Sequence, residues 1–459
     1  MKFFPGAPVV AIAVAGLIWS SEIAAKPLLV SGNLKKLNDK VRVAINPADG
    51  NALAVWAQGD AANNSFGRVY GAELIRQADG SYIANAPFLI SPDTGSHQRP
   101  VVRYLTKAGK YLVAWDTSYY DLSYFLTLDP FDDRPFAPAD VNARSYSPTG
   151  VAGTAQGTLG TQAKLNDAAI TLTAVPNIVP LTAGSLDRDT AAVREDVFIT
   201  YLGSNEGGPD DQHWVVGMWG GRWGVLKDGT ADITKIKNAQ MSSWELIGVT
   251  SGGLFSGGKI YSAGLRMDLD ENGETGRGGI CLINPNSYKA ERFVVTGTQD
   301  PYKKAPMPKT FGDVISLGYP PAVVTEPEGS TFTLVSHNNV DFNLMTFQSD
   351  FSTASFKKVG TVAAANTLVD QRFLTVRDNT KKTQQVYVLY HTTGQTFFYR
   401  ALSSTTGAPT GGAKAAFEKI TGQLKWMDAG TYGKNALVLW AQKKTKSLYE
   451  IYLNTFPIK

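Results

Sequence analysis

Two octapeptides at opposite ends of the chain differ at only two positions: "NALAVWAQ" (51–58) and "NALVLWAQ" (435–442). "KYLVAWDT" (110–117) is a third copy. "DVFITYLG" (196–203), "TFTLVSHN" (331–338) and "QVYVLYHT" (385–392) are looser versions, and "GKIYSAGL" (258–265) is the weakest. These are apolar or alternating runs closed by Gly, Pro, Asn and Asp, the pattern of strands, whereas helical periodicity is scarce. Each copy carries a marker near its end: Trp56, Trp115, Tyr201, Ala263, Ser336, Tyr390 and Trp440. A chain that writes one strand seven times is assembled from copies of one supersecondary unit.

The unit can be traced around its marker. A first strand ("RPVVRYL", 99–105) leads into the marker strand. A third follows ("GRVYGAEL", 67–74; "NARSYSPTG", 142–150), and a turn such as "QADGSY" leads to a fourth ("PFLIS", 87–91). Successive markers lie between 50 residues (Tyr390 to Trp440) and 86 residues (Trp115 to Tyr201) apart, the longest gap holding an insertion. Propeller blades recur every ~40–50 residues, and these gaps lie within and above that spacing. The expectation is therefore all-β: a seven-bladed β-propeller of four-stranded antiparallel blades, which leaves only short, protected edges. The last unit stops after its third strand, and "PLLVS" (27–31) matches "PFLIS". The N-terminal strand is expected to complete the C-terminal blade and close the ring. Two packed β-domains divided near residue 300 are the alternative. The "LVVW"-type strand followed by "ARSYSPTG" resembles repeat-built β-propellers of exported bacterial proteins over most of 26–459. That resemblance implies a fold and no activity.

Composition narrows the function. Charged residues are 18% of 459, the formal net charge is +4, and no Lys/Arg block occurs, so a nucleic-acid footprint is not expected. The single cysteine, Cys281, excludes an intramolecular disulfide and Cys-rich metal motifs, and reads as a small apolar core residue. Residues 1–25 have one lysine, an apolar run from Val9 to Trp19 and small residues ending in Ala24-Ala25. This is the three-part pattern of an export signal cut after Ala25. Residues 26–459 then form one domain, periplasmic, cell-surface or secreted. Ile23 is not the small residue preferred before such a cut, which leaves an uncleaved anchor as the alternative.

Antiparallel alternation puts the loops between second and third strands on the same rim as the connections between units. All four histidines fall there: His97 in "GSHQRP", His213 after "SNEGGPDDQ", and His337 and His391 just after their markers, where Asp116 stands in the second unit. Exposed rims collect polar residues in any case, and the competing reading is a rim that binds a ligand. The aromatic stretches "DTSYYDLSYF" (116–125), with Tyr119 and Tyr120, and "HWVVGMWGGRWG" (213–224), with Trp214, Trp219 and Trp223, offer stacking faces for sugar rings or filling between blades. "HQRP" (97–100) and "DQRF" (370–373) give Gln98 and Gln371 the look of a hydrogen bond between successive units.

"MDLDENGETGRGG" (267–279) spaces Asp268, Asp270 and Asn272 as a calcium loop does, with Gly273 for the turn and Glu274 as a further oxygen donor. Gly279 replaces the usual twelfth-position acid, so the choice is between a structural Ca2+ site and an empty acidic turn. No Ser-His-Asp spacing, HExxH, P-loop or dinucleotide fingerprint occurs. The leading expectation is a non-enzymatic propeller that binds a carbohydrate or an extracellular or periplasmic protein through rim loops. The alternative is a polysaccharide lyase or glycosidase using His337, His391, Tyr390, Tyr399 and Arg400, in which a base and a charge-neutralising group act beside a uronate carboxylate.

Overall fold

The computed structural model describes residues 26–32, 37–60, 65–92, 95–106, 108–118, 139–154, 156–165, 172–180, 194–204, 216–226, 234–240, 261–264, 268–269, 276–277, 279–284, 289–294, 303–305, 322–325, 331–338, 341–348, 354–361, 368–378, 383–403, 409–417, 420–445 and 448–459. The described elements are all strands, and no helix occurs among them.

The strands fall into groups whose successive long strands pair antiparallel in chain order. The first group is Leu37–Ile45, Ala52–Asp60 and Ser65–Arg76, with two short strands, Tyr82–Ala84 and Phe88–Leu89, against the third. The second is Ser96–Leu105, Lys110–Ser118 and Ala139–Ser147, again with two short strands on the third, Thr158–Leu159 and Ala163–Lys164. Four-strand groups follow that begin at Leu172–Pro180, Tyr261–Gly264, Ala322–Thr325 and Leu368–Asp378. The sixth of these groups continues through Thr383–Thr392, Phe397–Leu402 and Pro409–Ala415. The seventh is Leu424–Tyr432, Asn435–Thr445 and Leu448–Pro457.

The N-terminal strand Leu28–Leu29 pairs antiparallel with Leu448–Pro457, Leu28 opposite Leu453 and Leu29 opposite Tyr452. Val30 N–H donates to Ile451 O at 2.8 Å, and Ile451 N–H donates to Ser31 Oγ at 3.0 Å. Val30 is buried. The first strand of every group touches the first strand of the next, and that of the seventh group touches that of the first.

The core lies between groups. In the marker strand of the first group Ala52, Ala54 and Trp56 pack toward Leu437, Leu439 and Ala441 of the seventh, while Leu53 and Val55 pack toward Val102, Val113 and Trp115 of the second. The same alternation continues on either side. Leu112 and Ala114 face Ile178, Ile199 and Trp223 of the third group, and Val438 and Trp440 face Leu374, Leu389 and Phe397 of the sixth. A strand covered on both faces must be apolar at every position, which is why the markers read as continuous runs. Each fully buried aliphatic side chain there contributes roughly 1.5–3 kcal/mol.

Polar anchors cross the same seams. The buried Glu73, on the third strand of the first group, accepts hydrogen bonds from Tyr146 Oη, Thr149 N (2.9 Å) and Thr149 Oγ1 (2.8 Å) of the second. The "SYSPTG" stretch that follows the third strand is thus a docking segment for its neighbour. At the same end the 46–51 turn is clasped by Tyr82 Oη on Gly50 O (2.8 Å) and Tyr111 Oη on Asn51 O (3.2 Å). Gly50, at φ +82°, is also pressed under Tyr432, where a Cβ would come within 2.8 Å of the ring.

Candidate functional site at the connection end

The candidate site lies at the end of the groups where one group leads into the next. Here three first strands carry a β-bulge with a non-glycine residue in the left-handed region: Lys40 (φ 53°), Arg99 (φ 46°) and Trp426 (φ 52°). Register breaks bracket all three, between Asp39 and Arg42, Gln98 and Val101, and Lys425 and Met427. Counted from the markers Trp56, Trp115 and Trp440, these bulges occupy equivalent positions on the seventh, first and second groups, which are neighbours. A bulge inserts a residue, sharpens the local twist and re-aims side chains. Holding a non-glycine residue at positive φ costs about 1–3 kcal/mol, and such strain concentrates where ligands are clamped.

Donors converge around two of the bulges. Lys40 Nζ donates to Gln98 Oε1 across the seam at 3.3 Å. Arg99 Nε pairs with the buried Asp116 at 2.5 Å. Gln98 is 4% exposed, and its Nε2 has no hydrogen-bond partner among the described residues. The inter-unit bond expected of Gln98 is therefore present, with Lys40 as its donor. Gln371 does not share that register. It stands opposite Tyr390, whereas Gln98 stands opposite Asp116, because the sixth group places its bulge earlier, between Leu368 and Asp370.

His97 does not lie in a connecting loop. The strand starts at Ser96, and the bulge at Arg99–Pro100 carries it past the proline that marks a break in the sequence. Trp115 Nε1–H donates to His97 Nδ1 at 3.1 Å, and Thr117 Oγ1 lies 2.9 Å from the same nitrogen. Asn142 Nδ2 donates to Thr117 Oγ1 at 2.8 Å. With Nδ1 accepting, the neutral ring carries its proton on Nε2. The first group repeats this device with Asn38: Trp56 Nε1 and Gln58 Nε2 both donate to Asn38 Oδ1, at 3.0 and 2.9 Å. His97 thus satisfies a buried indole in the manner of its counterpart Asn38.

Further along the first strands, Asp428 joins three groups. One carboxylate oxygen accepts from Arg372 Nε of the sixth group at 3.2 Å, and the other accepts from Val43 N of the first at 2.8 Å. Burial pushes the Arg103 guanidinium of the second group down, and the charge of Asp428 opposes that shift.

The remaining expected site residues are dispersed. His391 is buried opposite Asp370, its ring 5.2 Å from that of Phe397. Tyr390 is buried and stacked 5.7 Å from Phe398; burial pushes its phenol up, against the opposing charge of Arg400. Tyr399 sits in the core between the sixth and seventh groups, 5.0 Å from Phe456, and the next residue, Arg400, donates to Gly411 O at 3.0 Å. Trp223 fills the core between the second and third groups, while Trp219 is a strand position paired with Tyr201. His337 pairs with Phe342. Asp268 pairs with Arg277 in a two-strand ladder. Tyr119, Tyr120, His213, Trp214, Asp270, Asn272 and Glu274 lie outside the described residues. Lys40 and Trp426 escaped sequence reading because neither carries a turn signature; only comparison of register between groups reveals them.

No family model matches the chain, and no curated protein matches it. Among solved structures it is similar to a Hadza microbial sialidase at 8% identity and TM-score 0.45, over 94% of this chain and 68% of that one. It is likewise similar to a polysaccharide lyase at 9% identity and TM-score 0.46, over 92% and 90%. An Aleuria aurantia lectin in complex with Fucalpha1-6GlcNAc is similar at 9% identity and TM-score 0.41, over 82% and 95%.

Proposed function

We propose that the chain is an exported seven-bladed β-propeller that binds carbohydrate at its connection end without transforming it. The blades are the seven strand groups, and Leu28–Leu29 acts as the missing fourth strand of the last. The unbroken succession of first-strand contacts, returning from the seventh group to the first, supports the closed ring. Residues 1–25 are the export signal.

One observation carries the binding reading: Trp426, Lys40 and Arg99 occupy the same strained register on three successive first strands. An aromatic face stacks on the apolar face of a sugar ring, and flanking donors take its oxygens. Two of the polar groups expected to bind ligand at this end are already engaged. Asp116 is held by Arg99, and His97 Nδ1 accepts from Trp115. The raised Tyr390 phenol stays protonated and is a poor base.

Affinity electrophoresis against a panel of neutral and acidic polysaccharides should show retardation of the wild type. Incubation with the same panel should release no reducing or unsaturated ends. Products formed by the wild type and lost in His391→Ala would replace this reading with a degrading enzyme.

A further inference from the structure

The bond after Ala25, where the export signal ends, lies just ahead of the strand Leu28–Leu29. Lys26 and Pro27 are exposed, and from Leu28 onward the chain is engaged. Leu28 and Leu29 pair with Leu453 and Tyr452 of the seventh group. Val30 N–H donates to Ile451 O at 2.8 Å, and Ser31 Oγ accepts from Ile451 N at 3.0 Å. Val30 is 1% exposed and Ser31 0%. Val30 belongs to the apolar cluster that holds Val41, Ala54 and Leu453 in the seam between the seventh and first groups.

A peptidase takes its substrate as an extended strand and bonds to the backbone around the bond it cuts. A folded chain is cut only from a locally opened state, at a rate set by how populated that state is. The two exposed residues span at most ~7 Å. An enzyme holding the bond after Ala25 must therefore also take up backbone that the docked strand has already paired. Undocking that strand is more than the fraying of an exposed end. It bares Val30 and strips both backbone groups of Ile451 of their partners.

We infer that the docked N-terminal strand shields the bond between Ala25 and Lys26, so that the signal is cut before the ring closes and closure follows the cut. This rests on the export reading above and adds to it the order of two events. The reaction is hydrolysis by a signal peptidase: water adds across the peptide bond, leaving a carboxylate on Ala25 and a new amino terminus on Lys26. That terminus falls on an exposed residue, so the cut puts no charge into the seam.

The test refolds the full chain, residues 1–25 included, in detergent and incubates it with signal peptidase, following release of 1–25 by mass spectrometry. A peptide of residues 15–33, which has no seventh group to dock on, reports the intrinsic rate of the bond. The refolded wild type should be cut at least tenfold more slowly than the peptide. Insertion of about eight Gly/Ser residues between Ala25 and Lys26 moves the bond away from the docked strand and should restore the peptide's rate. Val30→Asp, which weakens docking and leaves the residues beside the bond unchanged, should be cut several-fold faster than the wild type. A wild type cut as fast as the peptide would overturn the shielding and leave the export reading intact. Val30→Asp as slow as the wild type would overturn the assignment of the shielding to this strand. Resistance of the peptide and of the insertion variant would overturn the export reading itself.

Discussion

The Tyr146 phenol donates a hydrogen bond to the buried Glu73 carboxylate, joining the third strands of two successive groups. Thr149 adds two more donors to the same carboxylate, and Gly157 N–H donates to Tyr146 Oη at 2.7 Å. Glu73→Gln replaces an acceptor by an NH2 that faces these donors. It should cost about 3 kcal/mol, because a buried group is then left unmatched. Tyr146→Phe, which keeps the ring stacked 4.7 Å from Phe88, should cost less, about 1–2 kcal/mol. Urea unfolding followed by tryptophan fluorescence measures both, and equal midpoints for Glu73→Gln and the wild type would refute the anchor.

Deletion of residues 26–31 removes the strand that caps Leu448–Pro457 and takes the buried Val30 out of the seam between the seventh and first groups. The bared strand edge is expected to promote association. Thermal denaturation and light scattering should show a lower melting temperature and larger particles, and Val30→Asp should reproduce part of the loss. A truncated protein that matches the wild type in both would show that the N-terminal strand is dispensable.

His97 is predicted to serve stability rather than ligand contact. Asn, which holds the equivalent position as Asn38, offers Trp115 Nε1 an acceptor, so His97→Asn should remain within about 1 kcal/mol of the wild type. His97→Ala leaves the indole N–H buried without that acceptor and should cost about 1–3 kcal/mol. Polysaccharide affinity should be the same in both folded variants; a selective loss of affinity in His97→Asn would return His97 to the binding site.

Alkaline pH should destabilise the turn end. Burial pushes Tyr82 up to about 12 from its ordinary 10.0, and it raises Tyr111 and Tyr146 as well. The folded state therefore keeps protons that the unfolded chain releases above pH 10.0. That contribution is fully present below pH 10.0 and falls away as pH rises toward 12. Chemical-denaturation midpoints collected across this window should decline, and the slope should be shallower in Tyr82→Phe.

Calcium added to chelator-treated protein should raise the melting temperature through the "DLDENGE" loop, Asp268 to Glu274. The double variant Asp268→Ala/Asp270→Ala should not respond. A wild type indifferent to calcium would identify the stretch as an ordinary acidic turn.

Residue order alone determined that this chain is built of strands, and where most of them lie. A strand buried on both faces needs apolar residues throughout and a closing Trp to fill the seam, and both are local properties visible at 51–58, 110–117 and 435–442. The likeness of "PLLVS" to "PFLIS" also pointed to the pairing of the N-terminal strand with the last one. Tertiary structure decided the site. The left-handed bulges at Lys40, Arg99 and Trp426 carry no glycine or turn motif, and Pro100 conceals a strand that continues through it. Glu73 and Gln98 read as ordinary polar positions until the neighbouring group supplies Tyr146 and Lys40. Register and seam contacts arise between groups far apart in sequence, so a local pattern cannot encode which polar atoms they leave matched and which they leave unmatched.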